Sequence, residues 1–107
     1  MIRQPSASMN RWPFDQAPNV GAITTRQVIE NGLSVLVVAH YADDDSWAFL
    51  CGTTEASEDG RLIGMVEALK MDPTLATIAD LPPGWRAYRR AVGEPWTKQP
   101  NSDGSIA

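Results

Sequence analysis

The stretch that decides the fold is residues 33–52, where the apolar run LSVLVVA (residues 33–39) is followed by the loop YADDDS (residues 41–46) and a second apolar run, WAFLCG (residues 47–52). Two runs rich in β-branched and aromatic residues, joined by a short aspartate and serine loop, predict a β-hairpin. The first run has no polar side, which is typical of a central strand covered on at least one face. The rest of the chain is therefore expected to cover or extend this hairpin.

Before the hairpin, the sequence predicts a short strand at residues 20–23 and then a helix of about two turns. The TTRQ segment at residues 24–27 matches a capping box, with Thr24 as the N-cap and Gln27 reaching back to it. Gly32 follows and is expected to end the helix in the left-handed conformation.

After the hairpin, residues 53–60 are acidic and small and predict a loop. The next apolar residues recur at helical spacing, which predicts an amphipathic helix; they are Leu62, Met65, Val66 and Leu69. Gly64 disfavours that helix, so a strand at residues 61–66 is the alternative. The pair Asp72-Pro73 then predicts the start of another short helix.

Residues 85–91 alternate in a way that predicts a last strand. Trp85 and Ala87 would then lie on one face, and Arg86, Tyr88 and Arg90 on the other. The order of elements predicts an α+β fold, a small antiparallel sheet of about four strands with short helices mainly on one face.

The 107 residues suit a single domain, with 43% apolar residues to form a core. We divide the chain into an irregular N-terminal arm (residues 1–19), one α+β domain (residues 20–97) and a polar C-terminal tail (residues 98–107). Trp12 and Phe14, in the arm, are expected to dock on the domain, because exposed aromatic side chains favour association.

No apolar run approaches the roughly 20 residues of a membrane helix, and the N-terminus lacks the apolar segment of a signal peptide. A cytoplasmic location is therefore expected. The net charge of −4 argues against binding to nucleic acid or to an anionic membrane.

The charges are unevenly distributed along the chain. Residues 41–60 hold six acids and no base, namely Asp43, Asp44, Asp45, Glu55, Glu58 and Asp59. Residues 84–98 are mainly basic, with Glu94 as their one acid and with Arg86, Arg89, Arg90 and Lys98 as their bases. The arginines form either a patch for an anionic partner or ion pairs with the acidic loop.

Few residues offer catalytic chemistry. His40 is the single histidine and Cys51 the single cysteine, so no intramolecular disulfide is expected. No set of ligands has metal-site spacing, the three consecutive aspartates lack the alternation of a calcium loop, and the glycines lack phosphate-binding spacing. We predict no catalytic residue, metal or cofactor; a Cys51–His40 pair across the hairpin is the alternative.

Several motifs occur together in a fixed order: ITTRQV (residues 23–28), WxFLxG (residues 47–52), DPTL (residues 72–75) and ADLPPGWxAxR (residues 79–89). With this set of motifs, the chain resembles a family of small bacterial single-domain proteins of unknown function, related to immunity-protein-like domains of polymorphic toxin systems. The resemblance covers residues 20–96. The resemblance implies a protein partner and brings no catalytic residues.

Together these features predict a non-enzymatic module that binds a basic protein partner, in the manner of an immunity protein. Its binding surface would be the sheet face or the acidic loops, through Asp43, Asp44, Asp45, Glu55, Glu58, Asp59, Trp47 and Trp85. Both tryptophans are also typical of core positions. The alternatives are a small ligand-binding domain or enzyme using Cys51, His40 or Tyr88, and a symmetric homodimer formed through an exposed strand edge.

Overall fold

A computed structural model of the chain describes residues 12–14, 16–53 and 57–100. Within these ranges the structure has six strands: β1 (Gly21–Thr25), β2 (Val37–His40), β3 (Trp47–Leu50), β4 (Gly60–Gly64), β5 (Trp85–Tyr88) and β6 (Thr97–Pro100). Helix α1 (Arg26–Asn31) follows β1, and α2 (Met65–Met71) follows β4. Short 3-10 helices lie at Ser57–Asp59 and Pro73–Ile78. None of the described helices is long and apolar enough to cross a membrane.

The strands form one mixed sheet in the order β4-β1-β3-β2-β5-β6. β1 is parallel to β3, with Ile23 opposite Ala48, and every other neighbouring pair is antiparallel. The prediction of a small, wholly antiparallel sheet of about four strands is therefore wrong, although the mixture of helices and strands is as expected. The predicted hairpin is confirmed as β2 and β3, with His40 opposite Trp47.

The parallel pair arises from the path of the chain after β1. The first strand lies beside β3, the distant strand of the hairpin, and not beside β2, which follows it in sequence. Helix α1 carries the chain across to β2, which runs antiparallel to β3, so that β1 and β3 point the same way. The predicted antiparallel sheet did not include this crossing, because the sequence around β1 holds no local signal for it.

The two strands beyond the predicted four are the edge strands β4 and β6. The sequence offered β4 only as the alternative at residues 61–66, and β6 was not predicted. Leu62 belongs to β4, where 76% of its surface is exposed, and α2 begins only at Met65. The apolar residues that predicted one amphipathic helix are therefore divided between a strand and a helix. Gly64 is the extended N-cap between them (φ −77°, ψ 152°). β6 is polar because it has only one strand neighbour and lies largely in solvent. It occupies residues that were predicted as domain end and tail.

The start of α1 also differs from the predicted capping box. The N-cap is Thr25, and its side chain makes no capping hydrogen bond. Thr24 lies on β1 instead and donates from Oγ1 to the Phe49 carbonyl at 2.6 Å, while Gln27 Nε2 donates to Asp59 Oδ2 at 3.1 Å. Gly32 ends the helix with φ +72°, as predicted.

The core lies between the sheet and the helices. Strand residues such as Val38 and Phe49 pack against side chains from α1, α2 and the Pro73–Ile78 segment. Phe14 closes the end of this core: its exposed fraction is 5%, and its ring meets Trp47 edge-on at 4.9 Å. Trp12 packs beside Phe14, so the predicted docking of both aromatic residues is confirmed.

Candidate functional site

One face of the sheet carries none of the described helices. Strand residues alternate between the two faces, and in β1 Ala22 points into the core while Ile23 points away from it. Strand pairing extends this second face across the sheet in one row: Leu62, Ile23, Ala48, Ala39, Arg86 and Gln99. A second row consists of Leu50, Val37, Tyr88 and Thr97. We call these two rows the open face.

Three large side chains of the open face are exposed to solvent. Leu62 is 76% exposed, and Ile23 and Tyr88 are each 43% exposed. Ile23 and Leu62 are direct cross-strand neighbours, so their side chains form one apolar patch. Exposed apolar patches of this kind mark interaction sites.

Arg86 lies on the open face, between Ala39 of β2 and Gln99 of β6. It is half-buried, and no hydrogen bond or ion pair joins its guanidinium to any described residue. A partly desolvated cation without an acceptor leaves hydrogen-bonding capacity available to a partner. Arginine and tyrosine are also the residue types enriched among interface hot spots.

The aspartates of the hairpin loop lie beyond one end of the sheet and are exposed. Asp44 Oδ1 accepts hydrogen bonds from the hydroxyl and backbone N–H of Ser46, and these hold the pKa of Asp44 below its ordinary value. Asp45 Oδ1 lies 2.6 Å from His40 Nε2, and Asp45 adopts a left-handed backbone conformation, with φ +63°. Asp43 is fully available to solvent or to a partner.

The second acidic cluster lies at the opposite end of the strands. Glu58 and Asp59 directly precede β4, whose first residue pairs with the last residue of β1. Glu58 is exposed, but Asp59 accepts hydrogen bonds from Arg26 Nε at 3.3 Å and from Gln27 Nε2 at 3.1 Å. Glu55, the other predicted member, lies outside the described residues. The two acidic clusters therefore do not form one surface.

The two tryptophans proposed as anchors lie on the core side of the sheet. Trp47 is 1% exposed, stacks on His40 at 4.0 Å and donates from Nε1 to Gln16 Oε1. Trp85 is half-buried and packs against the same core. Neither contributes to the open face, where Tyr88 is the exposed aromatic residue.

The basic segment does not form one patch either. Arg89 points into the core side, where its side chain is 1% exposed and pairs with Asp72. Arg86 lies on the open face, and Arg90 is exposed beyond the end of β5. Lys98 pairs with Asp80 at 3.2 Å. None of these pairs involves the acidic loop residues.

His40 and Cys51 do not form a catalytic pair. His40 is opposite Trp47 at one end of the hairpin, whereas Cys51 follows Leu50, which is opposite Val37 at the other end. The His40 ring nitrogens lie 2.6 Å from the Leu81 carbonyl and from Asp45. Cys51 is 3% exposed, beside the hydroxyls of Thr25 and Thr53. Among the described residues, no group of three or more metal-ligating side chains converges.

A groove of about 580 Å³ lies beside α1, on the helix side of the molecule. Its apolar wall has four large side chains that are each 41–49% exposed: Ile29, Leu33, Met71 and Val92. The carboxylate of Asp72 lines the groove but is occupied by Arg89 and Thr74. A molecule bound in the groove would therefore make apolar contacts, and the Asp72 carboxylate would not be available to it.

Sequence reasoning found part of the open face and missed the rest. The alternation at residues 85–91 placed Arg86 and Tyr88 on the face away from Trp85, as the structure does. The pairing of Ile23 with Leu62 was missed, because Leu62 was assigned to a helix and a strand at residues 61–66 was only the alternative. The patch exists only because β4 pairs with β1, and that pairing has no local sequence signal.

No protein-family model, curated protein or solved structure gives a significant match to this chain. The motifs that resemble the immunity-like family have roles inside this fold. Asp72 and Thr74 of the DPTL motif bind Arg89, Phe49 accepts from Thr24, and Gly52 adopts φ +80°. These motif residues therefore help to determine the fold. Of the open face, Ile23 and Leu50 are motif residues, and Ala48, Arg86 and Tyr88 occupy unspecified positions within the motifs.

Proposed function

We propose that this chain is a non-enzymatic protein-binding module that holds its partner against the open face. The observation that supports this proposal is the sheet face that no described helix covers, on which exposed Ile23, Leu62 and Tyr88 accompany an arginine without an acceptor among the described residues. The centre of a protein–protein interface is typically made of apolar and aromatic side chains together with arginine, and the open face has this composition.

The partner is expected to match the open face in chemistry. Its contact surface would be apolar opposite Ile23 and Leu62, and it would place a carboxylate or carbonyl oxygen opposite Arg86. Such an acceptor gives a charge-assisted hydrogen bond in a region that the interface shields from water.

The net charge of the module favours a partner that is basic overall. The chain has a charge of −4, and exposed acids lie beyond both ends of the sheet, at Asp43, Asp44 and Glu58. Such charges raise the association rate and select among partners more than they raise affinity. An immunity-like role, in which the module binds a basic toxin, is the form of this function that the sequence motifs support.

The proposal is tested by placing a photoreactive amino acid at position 88, on the open face, and in a second protein at position 67. Glu67 is exposed on α2, on the helix side of the sheet, so it serves as the matched control. We expect position 88 to cross-link one discrete protein in the native cell and position 67 not to do so. Equal labelling from both positions would contradict the proposal.

The electrostatic part is tested separately with the identified partner. The triple variant Asp43→Lys, Asp44→Lys and Glu58→Lys should slow association and weaken its dependence on salt, while dissociation changes little. Tyr88→Ala should instead accelerate dissociation, because it removes buried contact area. An unchanged association rate in the triple variant would show that the partner is not selected by these acids.

A further inference from the structure

His40 is a buried histidine whose two ring nitrogens both face hydrogen-bond acceptors. Nδ1 lies 2.6 Å from the Leu81 carbonyl oxygen, and Nε2 lies 2.6 Å from Asp45 Oδ1. A carbonyl and a carboxylate can only accept, so each ring nitrogen must carry a proton to complete its contact. A neutral imidazole has a single N–H and would leave one acceptor facing a lone pair.

The ring that stacks on His40 also suits a cation. The Trp47 indole lies 4.0 Å from the imidazole, centroid to centroid, with 15° between the two planes. The face of an indole attracts positive charge. Two acceptors and one aromatic face therefore surround the imidazole, and each of them favours the form with two protons.

Asp45 is the charged group that contacts the ring among the described residues. The neighbouring strand β5 places an uncharged residue, Trp85, opposite His40. The acids next in sequence to the two contact residues have partners of their own. Asp80, which precedes Leu81, pairs with Lys98 at 3.2 Å, and Asp44 accepts from Ser46.

Asp45 connects the histidine to the N-terminal segment. It is a non-glycine residue with φ +63°, a conformation that surrounding contacts must hold. Its carbonyl accepts from Gln16 Nε2 at 2.8 Å. Gln16 in turn accepts from Trp47 Nε1 through Oε1 at 2.8 Å and from Trp12 Nε1 through its carbonyl at 2.6 Å. The position of Gln16 on the hairpin loop therefore depends on how Asp45 is held.

We propose that His40 carries two ring protons in this structure, and that loss of one of them detaches the hairpin loop from the N-terminal segment at Gln16. The fold thereby contains a proton-dependent contact, His40–Asp45–Gln16, which is closed at lower pH and opens as pH rises. This contact does not depend on the partner proposed above.

The burial of the two acceptors determines which hydrogen bond is lost. Leu81 is 1% exposed, whereas the Asp45 side chain is 58% exposed. An acceptor left unpaired costs more where water cannot reach it. The neutral ring should therefore keep its proton on Nδ1 for the Leu81 carbonyl and present a lone pair to Asp45. Asp45 can then leave its left-handed conformation, and Gln16 loses its acceptor.

The first test follows the imidazole of the natural chain by ¹⁵N NMR from about pH 5 to 9, which spans the ordinary charge change of histidine. His40 is the single histidine, so its ring signals are unambiguous. We expect two protonated nitrogens at the acid end and a proton on Nδ1 alone at the basic end. The indole N–H groups of Trp12 and Trp47 should exchange faster with water over the same pH interval. A ring that keeps one protonation state throughout, a neutral ring with its proton on Nε2, or indole exchange that does not follow the ring would overturn the proposal.

The second test compares Asp45→Asn with Asp43→Asn in about 0.15 M salt, where charges more than roughly 8 Å apart are largely screened. Both variants remove one carboxylate from the same loop, but Asp43 is exposed and has no contact with the ring among the described residues. An amide at position 45 can accept from a protonated Nε2 or donate to a bare one, and asparagine tolerates the left-handed conformation.

In Asp45→Asn the ring should therefore lose its proton at a lower pH than in the natural chain, and the indole exchange of Trp12 and Trp47 should lose its link to the ring. Asp43→Asn should behave as the natural chain does. If the two variants titrate alike, the carboxylate of Asp45 does not hold the second proton and the proposal is wrong. Circular dichroism of each variant confirms that it is folded.

Discussion

Arg89 and Asp72 form a buried ion pair, with 2.7 Å between Nη2 and Oδ2 and with the arginine side chain 1% exposed. The same guanidinium donates to the Val35 carbonyl through Nε and Nη2 and to Thr74 Oγ1 through Nη1. The Trp96 ring lies over it at 4.3 Å. One side chain therefore links the end of β5, the segment before β2 and the start of the Pro73–Ile78 helix.

Replacing Arg89 should be among the most destabilising single changes in the chain. In Arg89→Ala, Asp72 and the Val35 carbonyl lose a buried donor, and removing one partner of a buried pair costs about 3–5 kcal/mol. Arg89→Lys should rescue little, because an ammonium group cannot make the forked contact with Val35 and also reach Asp72 and Thr74. Urea denaturation of each variant measures the loss.

Lys98→Ala provides the control for this experiment. Lys98 also forms an ion pair with an aspartate, Asp80, but the two side chains are 39% and 78% exposed. Exposed pairs contribute about 0–1 kcal/mol. If Arg89→Ala were no more destabilising than Lys98→Ala, the Arg89 cluster would not stabilise the fold as we infer.

Phe14 should contribute to stability although it lies in a segment without regular structure. Its ring packs edge-on to Trp47 at 4.9 Å and to Phe49 at 6.2 Å. Truncating a buried phenylalanine costs about 3–5 kcal/mol, so Phe14→Ala should lower the thermal midpoint by well over 10 °C, at roughly 4–8 °C per kcal/mol. Phe14→Leu, which retains most of the apolar volume, is the control and should lose less than half as much. A midpoint unchanged in Phe14→Ala would mean that this segment does not belong to the core.

The parts of the fold that sequence reasoning predicted are those fixed by local chemistry. A few consecutive residues were enough to predict the hairpin, the glycine that ends α1, and the face of the sheet on which each side chain of β5 lies. The Asp72–Pro73 signal also holds, because Asp72 accepts from the Thr74 N–H at the start of a 3-10 helix. In each case neighbouring residues decide the conformation.

The parts that were wrong depend on contacts between distant residues. The parallel pairing of β1 with β3 joins Ile23 to Ala48. Strand β4 exists because residues 60–64 pair with β1, which overrides a helical spacing that continues into α2. The same pairings create the open face, so the candidate site could not be assembled from local patterns. The roles of Asp59 and Arg89 likewise depend on partners far along the chain.

Two glycines with similar positive φ angles allow backbone strain to be separated from side-chain crowding. Gly32 (φ +72°) has open space where a Cβ would be, whereas a Cβ at Gly52 (φ +80°) would lie 3.3 Å from Val37 Cγ2. Gly32→Ala should therefore cost about 1–2 kcal/mol, the cost of a left-handed conformation for an L-residue. Gly52→Ala should cost more, because Val37 must also move. Chemical denaturation of both variants tests this order, and equal losses would indicate that Val37 adjusts freely.

The Cys51 thiol should titrate below its ordinary range while staying inaccessible to reagents. Burial raises the pKa of Cys51, but hydrogen bonds from the Thr53 side chain and backbone and from Thr25 lower it further than burial raises it. Sγ lies 3.0 Å from Thr53 Oγ1, and the residue is 3% exposed. Thr53→Ala removes the nearer hydroxyl, so the pKa should rise. The ultraviolet absorbance of the thiolate, measured against pH with Cys51→Ser as the blank, reports this directly because there is only one cysteine. Alkylation of Cys51 should be slow in the folded natural chain and in folded Thr53→Ala, and fast in both after unfolding. Rapid alkylation of either folded protein, or a Cys51 pKa that does not rise in Thr53→Ala, would contradict this description of the thiol.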